Sequence, residues 1–268
     1  MHRRLLLLLA LSCLMTGCGG SSSKPAASGA LSGNWQMTLL KTDTTTIYKT
    51  QTGSLIQTGD DITGSVISIN DPCSGVGSVT GSVSGDSVAL SISPVGTSVT
   101  LSGTIANPPK SMSGTYTILS LGCAGSQTAP QVGNFTANLV SPVSGNITGT
   151  FAGKNSGPTY AVTGTVTQGA NTGQSSTPLT GSLTFAASGS GPGFCYASAN
   201  IVGSISGTSV VMNLVQTDGS QIGQIFGTAT LDGTLVAGTY DYLGLGKGAG
   251  SNCVDGSSGA VNFSIAGS

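Results

Sequence analysis

The sequence is short of charged and aromatic side chains. Only 6% of its 268 residues are charged and 5% are aromatic, and it contains no glutamate. Its one histidine, His2, and its two arginines, Arg3 and Arg4, lie at the extreme N-terminus. A nucleic-acid-binding protein needs a basic surface to displace counterions, so this composition excludes a nucleic-acid partner. It also excludes arginine clusters that grip phosphate or carboxylate groups.

The usual residues of catalysis are equally scarce. Without histidine beyond residue 2, the chain cannot form a Ser-His-Asp triad or a histidine metal site. Asp60 and Asp61 are adjacent, and adjacent residues of a strand point to opposite faces, so we interpret them as a polar turn rather than a carboxylate pair. Further aspartates stand beside glycines as turn formers, namely Asp86, Asp218, Asp232 and Asp255. We therefore expect no catalytic residue, no metal site and no cofactor, and thus a protein that is not an enzyme.

The N-terminus has the pattern of an export signal. Arg3 and Arg4 precede an apolar run, residues 5–11, that is too short to span a bilayer permanently. The segment Leu14-Met15-Thr16-Gly17-Cys18 then places small residues before a cysteine, and glycines and serines follow it. This arrangement resembles the lipobox of bacterial lipoproteins. An ordinary signal peptide cut near Ala27 or Ala30 is the alternative.

The lipobox resemblance implies a lipid-anchored protein of the cell envelope. Residues 1–17 would be the signal peptide, and residues 18–30 would be the lipidated Cys18 and a flexible tether. Gly19 stands where an aspartate retains some lipoproteins in the inner membrane, so the resemblance favours the outer membrane. The chain that remains carries six lysines against nine aspartates, a net charge of −3.

Apolar residues recur at every second position, which is the period of a β-strand with one buried face. Residues 76–83 and 99–105 show this alternation, and turn signals such as Ser84-Gly85-Asp86 and Leu231-Asp232-Gly233 separate the runs. No capped helical pattern follows the signal segment. The sequence predicts an all-β protein whose strand glycines permit sharp coiling of the sheet.

The second half of the sequence repeats the first in the same order. Ser32-Gly33-Asn34 returns as Ser144-Gly145-Asn146, and residues 81–85 return as residues 203–207. Less common residues also match: Cys73 with Cys195, Tyr116 with Tyr240, Cys123 with Cys253, and Phe135 with Phe263. The offset drifts along the chain, which indicates loop insertions, one of them near residues 171–178. We predict two tandem duplicated antiparallel β-domains, residues 31–141 and 142–268, each large enough for its own core.

Four cysteines of the exported chain fit this duplication. Export places them in an oxidising compartment, where an even number of cysteines indicates disulfides. Of the three possible pairings, the repeat favours one bond in each domain, Cys73–Cys123 and Cys195–Cys253.

Each domain has room for eight strands, which form either a closed up-and-down barrel or a β-sandwich. In the first repeat we place them near residues 31–40, 46–57, 61–69, 75–84, 86–93, 97–107, 111–121 and 132–141. Gly33-Asn34-Trp35, at the start of the first strand, resembles the Gly-x-Trp opening of the lipocalin and avidin superfamily, whose members are eight-stranded barrels. The resemblance implies the barrel shape.

Two functions suit such a protein. The first is a binding module, in which a barrel holds a small apolar molecule or presents its loops to a glycan or protein partner. Trp35, Tyr116 and Tyr240 are then the candidate ligand contacts. The second is a structural or adhesive surface lipoprotein without a ligand pocket. Inward-facing polar residues that converge in a lumen would favour the first, whereas a lumen filled by Val, Leu and Ile would favour the second. The oligomeric state does not follow from the sequence.

Overall fold

A computed structural model describes residues 29–43, 45–69, 75–94, 97–120, 130–153, 159–187, 197–242 and 258–267. The predicted signal peptide, Cys18 and most of the tether lie outside the described residues. So do the four cysteines of the predicted disulfides, Cys73, Cys123, Cys195 and Cys253. The described part of the chain contains no helix long and apolar enough to cross a membrane.

The chain folds into two tandem closed barrels, each of eight antiparallel strands joined in sequence order. Barrel 1 consists of β1 (Gly33–Leu40), β2 (Ile47–Thr58), β3 (Asp61–Ile69), β4 (Gly75–Ser84), β5 (Ser87–Pro94), β6 (Thr97–Ile105), β7 (Ser111–Ser120) and β8 (Gln131–Val140). Barrel 2 consists of β9 (Gly145–Gly153), β10 (Thr159–Gln168), β11 (Thr177–Ala187), β12 (Ser198–Ser206), β13 (Ser209–Val215), β14 (Gln221–Ala229), β15 (Leu235–Tyr242) and β16 (Ser258–Ala266).

The prediction of an all-β fold with two eight-stranded meanders is confirmed. Each strand expected in the first repeat is present, and its ends lie within two residues of the predicted ones. Pairing of β1 with β8, and of β9 with β16, closes each sheet on itself. The closed barrel, rather than the sandwich, is therefore the architecture of both repeats.

Glycines lie where neighbouring strands of a barrel approach each other most closely. Gly103 on β6 stands directly opposite Gly114 on β7. A Cβ atom on Gly114 would collide with the carbonyl oxygen of Ser102 and with the Cα atom of Gly103. Backbone atoms cannot rotate away as a side chain can, so the tight coiling of the sheet requires glycine at this position.

The same polar clamp closes one end of both barrels. In barrel 1 the Leu31 N–H donates to Oε1 of Gln57 (3.0 Å), and the Gln57 N–H donates to Oγ of Ser32 (2.9 Å). In barrel 2 the Val143 N–H donates to Oε1 of Gln168 (3.0 Å), and the Gln168 N–H donates to the Ser144 hydroxyl (2.9 Å). Leu31 and Val143 are fully buried at this end. Equivalent residues thus make equivalent hydrogen bonds, which supports the tandem repeat predicted from the sequence.

A polar seam joins the two barrels. The docking turn of barrel 2, Ser206-Gly207-Thr208, lies against a docking face on the outside of barrel 1 that consists of Asn34, Gln36, Thr52 and Ser54. The Asn34 side chain donates to the Gly207 carbonyl (2.7 Å) and accepts from the Gly207 N–H (2.7 Å). The Thr208 hydroxyl donates to Oε1 of Gln36 (2.6 Å), and the hydroxyls of Thr52 and Ser206 are 2.8 Å apart. The docking face is polar, yet Asn34, Thr52 and Ser54 are buried.

The predicted loop insertion completes the seam. Residues 59–60 connect β2 to β3 in barrel 1, whereas residues 169–176 connect β10 to β11 in barrel 2. The Asn171 side chain of this longer connection donates to the Leu55 carbonyl of barrel 1 (2.7 Å), and the Ser206 hydroxyl donates to the Ser175 carbonyl (2.6 Å). The insertion therefore extends the contact between the barrels.

The seam makes a measurable contribution to stability. Replacing Asn34 with alanine leaves the buried N–H and carbonyl of Gly207 without partners, and we expect the free energy of unfolding to fall by about 2 kcal/mol. The control is Asn146→Ala, since Asn146 is the equivalent residue of barrel 2 but is exposed, and its loss should cost less than about 0.5 kcal/mol. Urea unfolding followed by circular dichroism measures both effects, and equal losses in the two variants would contradict the seam.

Candidate functional site

Polar side chains point into the lumen of barrel 1 from the inward face of β2. Lys49 and Gln51 precede Gly53 and Leu55 at every second position, so all four face the lumen. Lys49 is 1% exposed and Gln51 is fully buried. Ser68, which stands directly opposite Gln51 on β3, is also buried. We call Lys49, Gln51 and Ser68 the polar cluster; it lies at the end of the lumen opposite the Leu31 clamp.

Hydrogen bonding within the polar cluster is incomplete. Nε2 of Gln51 donates to the Ser68 hydroxyl over 3.2 Å. Oε1 of Gln51 has no hydrogen-bond partner among the described residues. A buried acceptor without a donor costs about 1–3 kcal/mol, so native proteins rarely leave one without reason. The polar cluster therefore includes a buried hydrogen-bond acceptor that the described residues leave without a donor.

A β-bulge brings a tyrosine to the same end of barrel 1. Leu39 pairs with Lys49 but Leu40 pairs with Ile47, which leaves Tyr48 as the extra residue of β2. The Tyr48 ring packs against the core and stacks on Tyr116, with ring centroids 6.4 Å apart and 19° between planes. Burial, and to a lesser extent Tyr48, raises the pKa of Tyr116. Bulges often lie next to binding sites because they redirect a side chain.

Barrel 2 has apolar or aromatic side chains at the positions of the polar cluster. Tyr160 is the counterpart of Lys49, because it pairs with Phe151 as Lys49 pairs with Leu39. Val162 is the counterpart of Gln51, and the residue that it pairs with, Phe185, is the counterpart of Ser68. Phe151 packs against Phe185 (5.6 Å between centroids), Tyr240 (4.7 Å) and Phe263 (5.6 Å). Burial is the main cause that raises the pKa of Tyr160, and Tyr240 adds to it. An aromatic core therefore fills the end of barrel 2 that is polar in barrel 1.

The three ligand contacts nominated from the sequence occupy different places. Trp35 is fully buried next to the clamp, where its Nε1–H donates to the Leu31 carbonyl (2.8 Å). Tyr116 lies at the polar end of barrel 1, and Tyr240 lies in the aromatic core of barrel 2. Only Tyr116 shares an end with the polar cluster. Lys49, Gln51 and Ser68 were missed, although reading β2 backwards from Leu55 in steps of two reveals the first two.

Two of the aspartates predicted as turn formers, Asp218 and Asp232, accept turn hydrogen bonds, whereas Asp255 lies outside the described residues and Asp43 forms a turn that was not predicted. Asp232 accepts hydrogen bonds from the Thr230 and Thr234 hydroxyls, which lower the pKa of its carboxyl group. Asp43 accepts from the Thr46 hydroxyl and from the Thr46 and Thr45 backbone, and these bonds lower its pKa to about 2. Among the described residues, no three His, Cys, Asp or Glu side chains come together as a metal-binding group would require.

Two shallow cavities lie on the outer surfaces. A cavity of about 450 Å³ is lined largely by outward hydroxyl side chains of β4 to β7, among them Thr80, Ser91 and Thr100. A second, of about 240 Å³, lies over β11 to β13 next to Asn200. Both are open and uncharged, and neither brings together groups of contrasting chemistry as the polar cluster does.

Comparison with known proteins adds no functional assignment. No protein-family model matches the chain, and no curated protein matches it.

Proposed function

We propose that the protein is an exported lipoprotein whose barrel 1 binds a small, mostly apolar molecule through one polar group. Cys18 would carry the lipid anchor and hold the chain in the cell envelope, at the outer membrane. The protein would bind its ligand without transforming it. Barrel 2 would act as a rigid domain beside the binding barrel.

The observation that carries this proposal is the difference between two equivalent lumens. Both barrels have the same clamp and the same strand number. Pairing along β2 and β10 is also equivalent as far as Lys49 and Tyr160, beyond which only barrel 1 has the Tyr48 bulge. Barrel 2 shows that Tyr160, Val162 and Phe185 can fill this end with apolar groups. Lys49, Gln51 and Ser68 of barrel 1 are therefore not required by the fold, and burying them costs stability. A binding role explains why barrel 1 carries them.

The character of the ligand follows from the lining of the lumen. The residues around the polar cluster are apolar, including Leu39, Ile92 and Phe135, so most of the ligand surface should be apolar as well. Its polar group would receive a hydrogen bond from Lys49 or Ser68 and donate one to Oε1 of Gln51. A hydroxyl group or a carboxylic acid offers such atoms. Small eight-stranded barrels have room for one modest ligand of this kind.

We expect the variant Gln51→Leu to lose the ligand and to gain stability. Leucine is of similar size and removes the unsatisfied acceptor, but it also removes the 3.2 Å hydrogen bond to Ser68, so the free energy of unfolding should rise by about 1 kcal/mol or less. Native mass spectrometry of the full chain in detergent should show a bound small molecule that leaves on denaturation, and the variant should show the bare mass. Thermal unfolding checks the second effect.

Tyr160→Phe is the matched control, because it alters the equivalent end of barrel 2 and should leave the bound mass unchanged. A bare mass for the parent chain, unaltered after addition of octanoate, octanol and octylamine, would contradict the binding role. That result would favour the second candidate function, a structural or adhesive surface lipoprotein. The filled lumen of barrel 2 and the hydroxyl-lined outer cavity on β4 to β7 are the features that support this candidate, since a glycan or protein could rest on such a surface.

A further inference from the structure

The seam between the barrels uses a docking turn and a docking face that both occur twice in the chain. Each barrel has its own copy of both elements, but only the turn of barrel 2 and the face of barrel 1 are used within one molecule. We propose that copies of this chain associate head to tail, and that the unused turn of barrel 1 docks on the unused face of barrel 2 in the next copy.

The unused face of barrel 2 matches the docking face of barrel 1. Asn146 corresponds to Asn34, because each follows the glycine that begins the first strand of its barrel. Thr163 corresponds to Thr52 and Thr165 to Ser54, since Thr165 pairs with Asn146 as Ser54 pairs with Asn34. Asn34, Thr52 and Ser54 are at most 3% exposed, whereas Asn146, Thr163 and Thr165 are exposed. The face of barrel 2 thus has equivalent residues but is exposed, whereas the docking face of barrel 1 is buried under the docking turn.

The unused turn of barrel 1 matches the docking turn of barrel 2. Ser84-Gly85-Asp86 corresponds to Ser206-Gly207-Thr208, and the two glycines have φ angles of 58° and 57°. A backbone hydrogen bond follows each turn in the same way, from Ile105 N–H to the Asp86 carbonyl (2.8 Å) and from Ala229 N–H to the Thr208 carbonyl (2.7 Å). Ser84 and Asp86 are exposed.

Where the residues of the proposed contact between copies differ from those of the seam, they remain complementary to each other. Within one molecule the Thr208 hydroxyl donates to the Gln36 side chain. Between molecules Thr148 stands in the place of Gln36 and Asp86 in the place of Thr208, so a threonine hydroxyl can donate to a carboxylate. The Asn146 amide can pair with the Gly85 backbone as Asn34 pairs with Gly207. The hydroxyls of Ser84 and Thr163 repeat the contact of Ser206 with Thr52.

This contact has defined consequences for assembly. The turn and the face are different surfaces, so the contact is heterologous, and each copy can use one of each. Repetition then gives an open chain or a ring rather than a pair that stops at two. Barrel 1 has no counterpart of the insertion at residues 169–176, because its β2–β3 connection is residues 59–60. The contact between copies is therefore weaker than the seam and depends on a high local concentration, such as a membrane surface provides.

Disulfide trapping tests the arrangement directly. The hydroxyl oxygens of Ser206 and Thr52 are 2.8 Å apart, so cysteine thiols at these two positions would face each other across the contact. We expect the double variant Ser84→Cys/Thr163→Cys of the full chain, oxidised in the membrane of producing cells, to give a ladder of dimers, trimers and longer species on a non-reducing gel. Each single variant should stay monomeric, because the residue that its cysteine faces in the next copy is not a cysteine. Adding Asn146→Leu to the double variant should abolish the ladder.

Two further variants serve as controls. Thr52→Cys/Ser206→Cys should form its bond within one chain and add no ladder, which verifies that the contact geometry allows a disulfide. Ser102→Cys/Thr184→Cys places thiols at two exposed positions outside both surfaces and measures random collision. A ladder from Ser84→Cys/Thr163→Cys no stronger than this background, or a ladder that survives Asn146→Leu, would overturn the proposal. The outcome is independent of whether barrel 1 binds a ligand.

Discussion

Replacing Gly114 with alanine is expected to open barrel 1. The new methyl group would meet the Ser102 carbonyl and the Gly103 Cα, both of them backbone atoms of the paired strand β6. To avoid this clash, β6 and β7 must move apart, which breaks backbone hydrogen bonds between the two paired strands. We expect the free energy of unfolding to fall by about 3 kcal/mol or more, measured by urea titration.

Gly75→Ala provides the comparison. Gly75 also lies in a strand of barrel 1, but a Cβ atom there would meet no heavy atom within 4 Å. Because alanine restricts the unfolded chain, this variant should be neutral or more stable by about 0.5 kcal/mol. If Gly114→Ala costs no more than Gly75→Ala, close strand approach is not what requires glycine in these barrels.

Replacing Trp35 with alanine is expected to cost about 3–5 kcal/mol of unfolding free energy. The indole is fully buried beside the clamp, and its removal leaves a large cavity and an unpaired Leu31 carbonyl. Trp35→Phe separates these two effects, because it keeps most of the apolar volume and loses only the donor, at about 1–3 kcal/mol.

Circular dichroism suits the Trp35 measurement, since Trp35 is the single tryptophan and its fluorescence disappears with it. Val76→Ala is the control, because Val76 is 56% exposed and its loss should change stability by less than about 0.5 kcal/mol. A Trp35→Ala variant as stable as Val76→Ala would show that Trp35 does not close the barrel.

The strands and their closure could be predicted from the sequence because both depend on local patterns. Alternation of apolar and polar residues fixes which side chains are buried, and glycine turns such as Gly85 fix where strands reverse. Because residues of the first half recur in the same order in the second half, the two halves were predicted to have the same fold. An insertion was predicted near residues 171–178 because they interrupt an otherwise matching order, and the connection between β10 and β11, residues 169–176, is indeed longer than residues 59–60 of barrel 1.

The seam could not be predicted from such patterns. Ser32-Gly33-Asn34 and Ser144-Gly145-Asn146 are identical in sequence, yet Asn34 is buried between barrels and Asn146 is exposed. Burial of this kind depends on how two finished barrels pack, which no local pattern encodes.

The polar cluster is a different case. Lys49 and Gln51 lie an even number of residues before Leu55, so the alternation of β2 predicts that they face the lumen. Their counterparts in barrel 2, Tyr160 and Val162, are not charged or amide side chains, which distinguishes the two barrels. The bulge at Tyr48 interrupts the alternation at the start of β2, so the pattern is difficult to recognise in the sequence.

Closure of the barrels also bears on how a chain with so few charges avoids strand pairing between molecules. Proteins rich in β-structure commonly rely on lysine and other charges to keep strand edges from pairing between molecules, and only 6% of this chain is charged. Each described strand has two hydrogen-bonded neighbours, so neither barrel, as far as it is described, presents an edge for which such charges would be needed. The protection is absent until the first and last strands of a barrel meet, β1 with β8 and β9 with β16. The period of greatest aggregation risk is therefore the time before the barrels close, when chaperones that shield unpaired strands would matter more than any property of the folded surface.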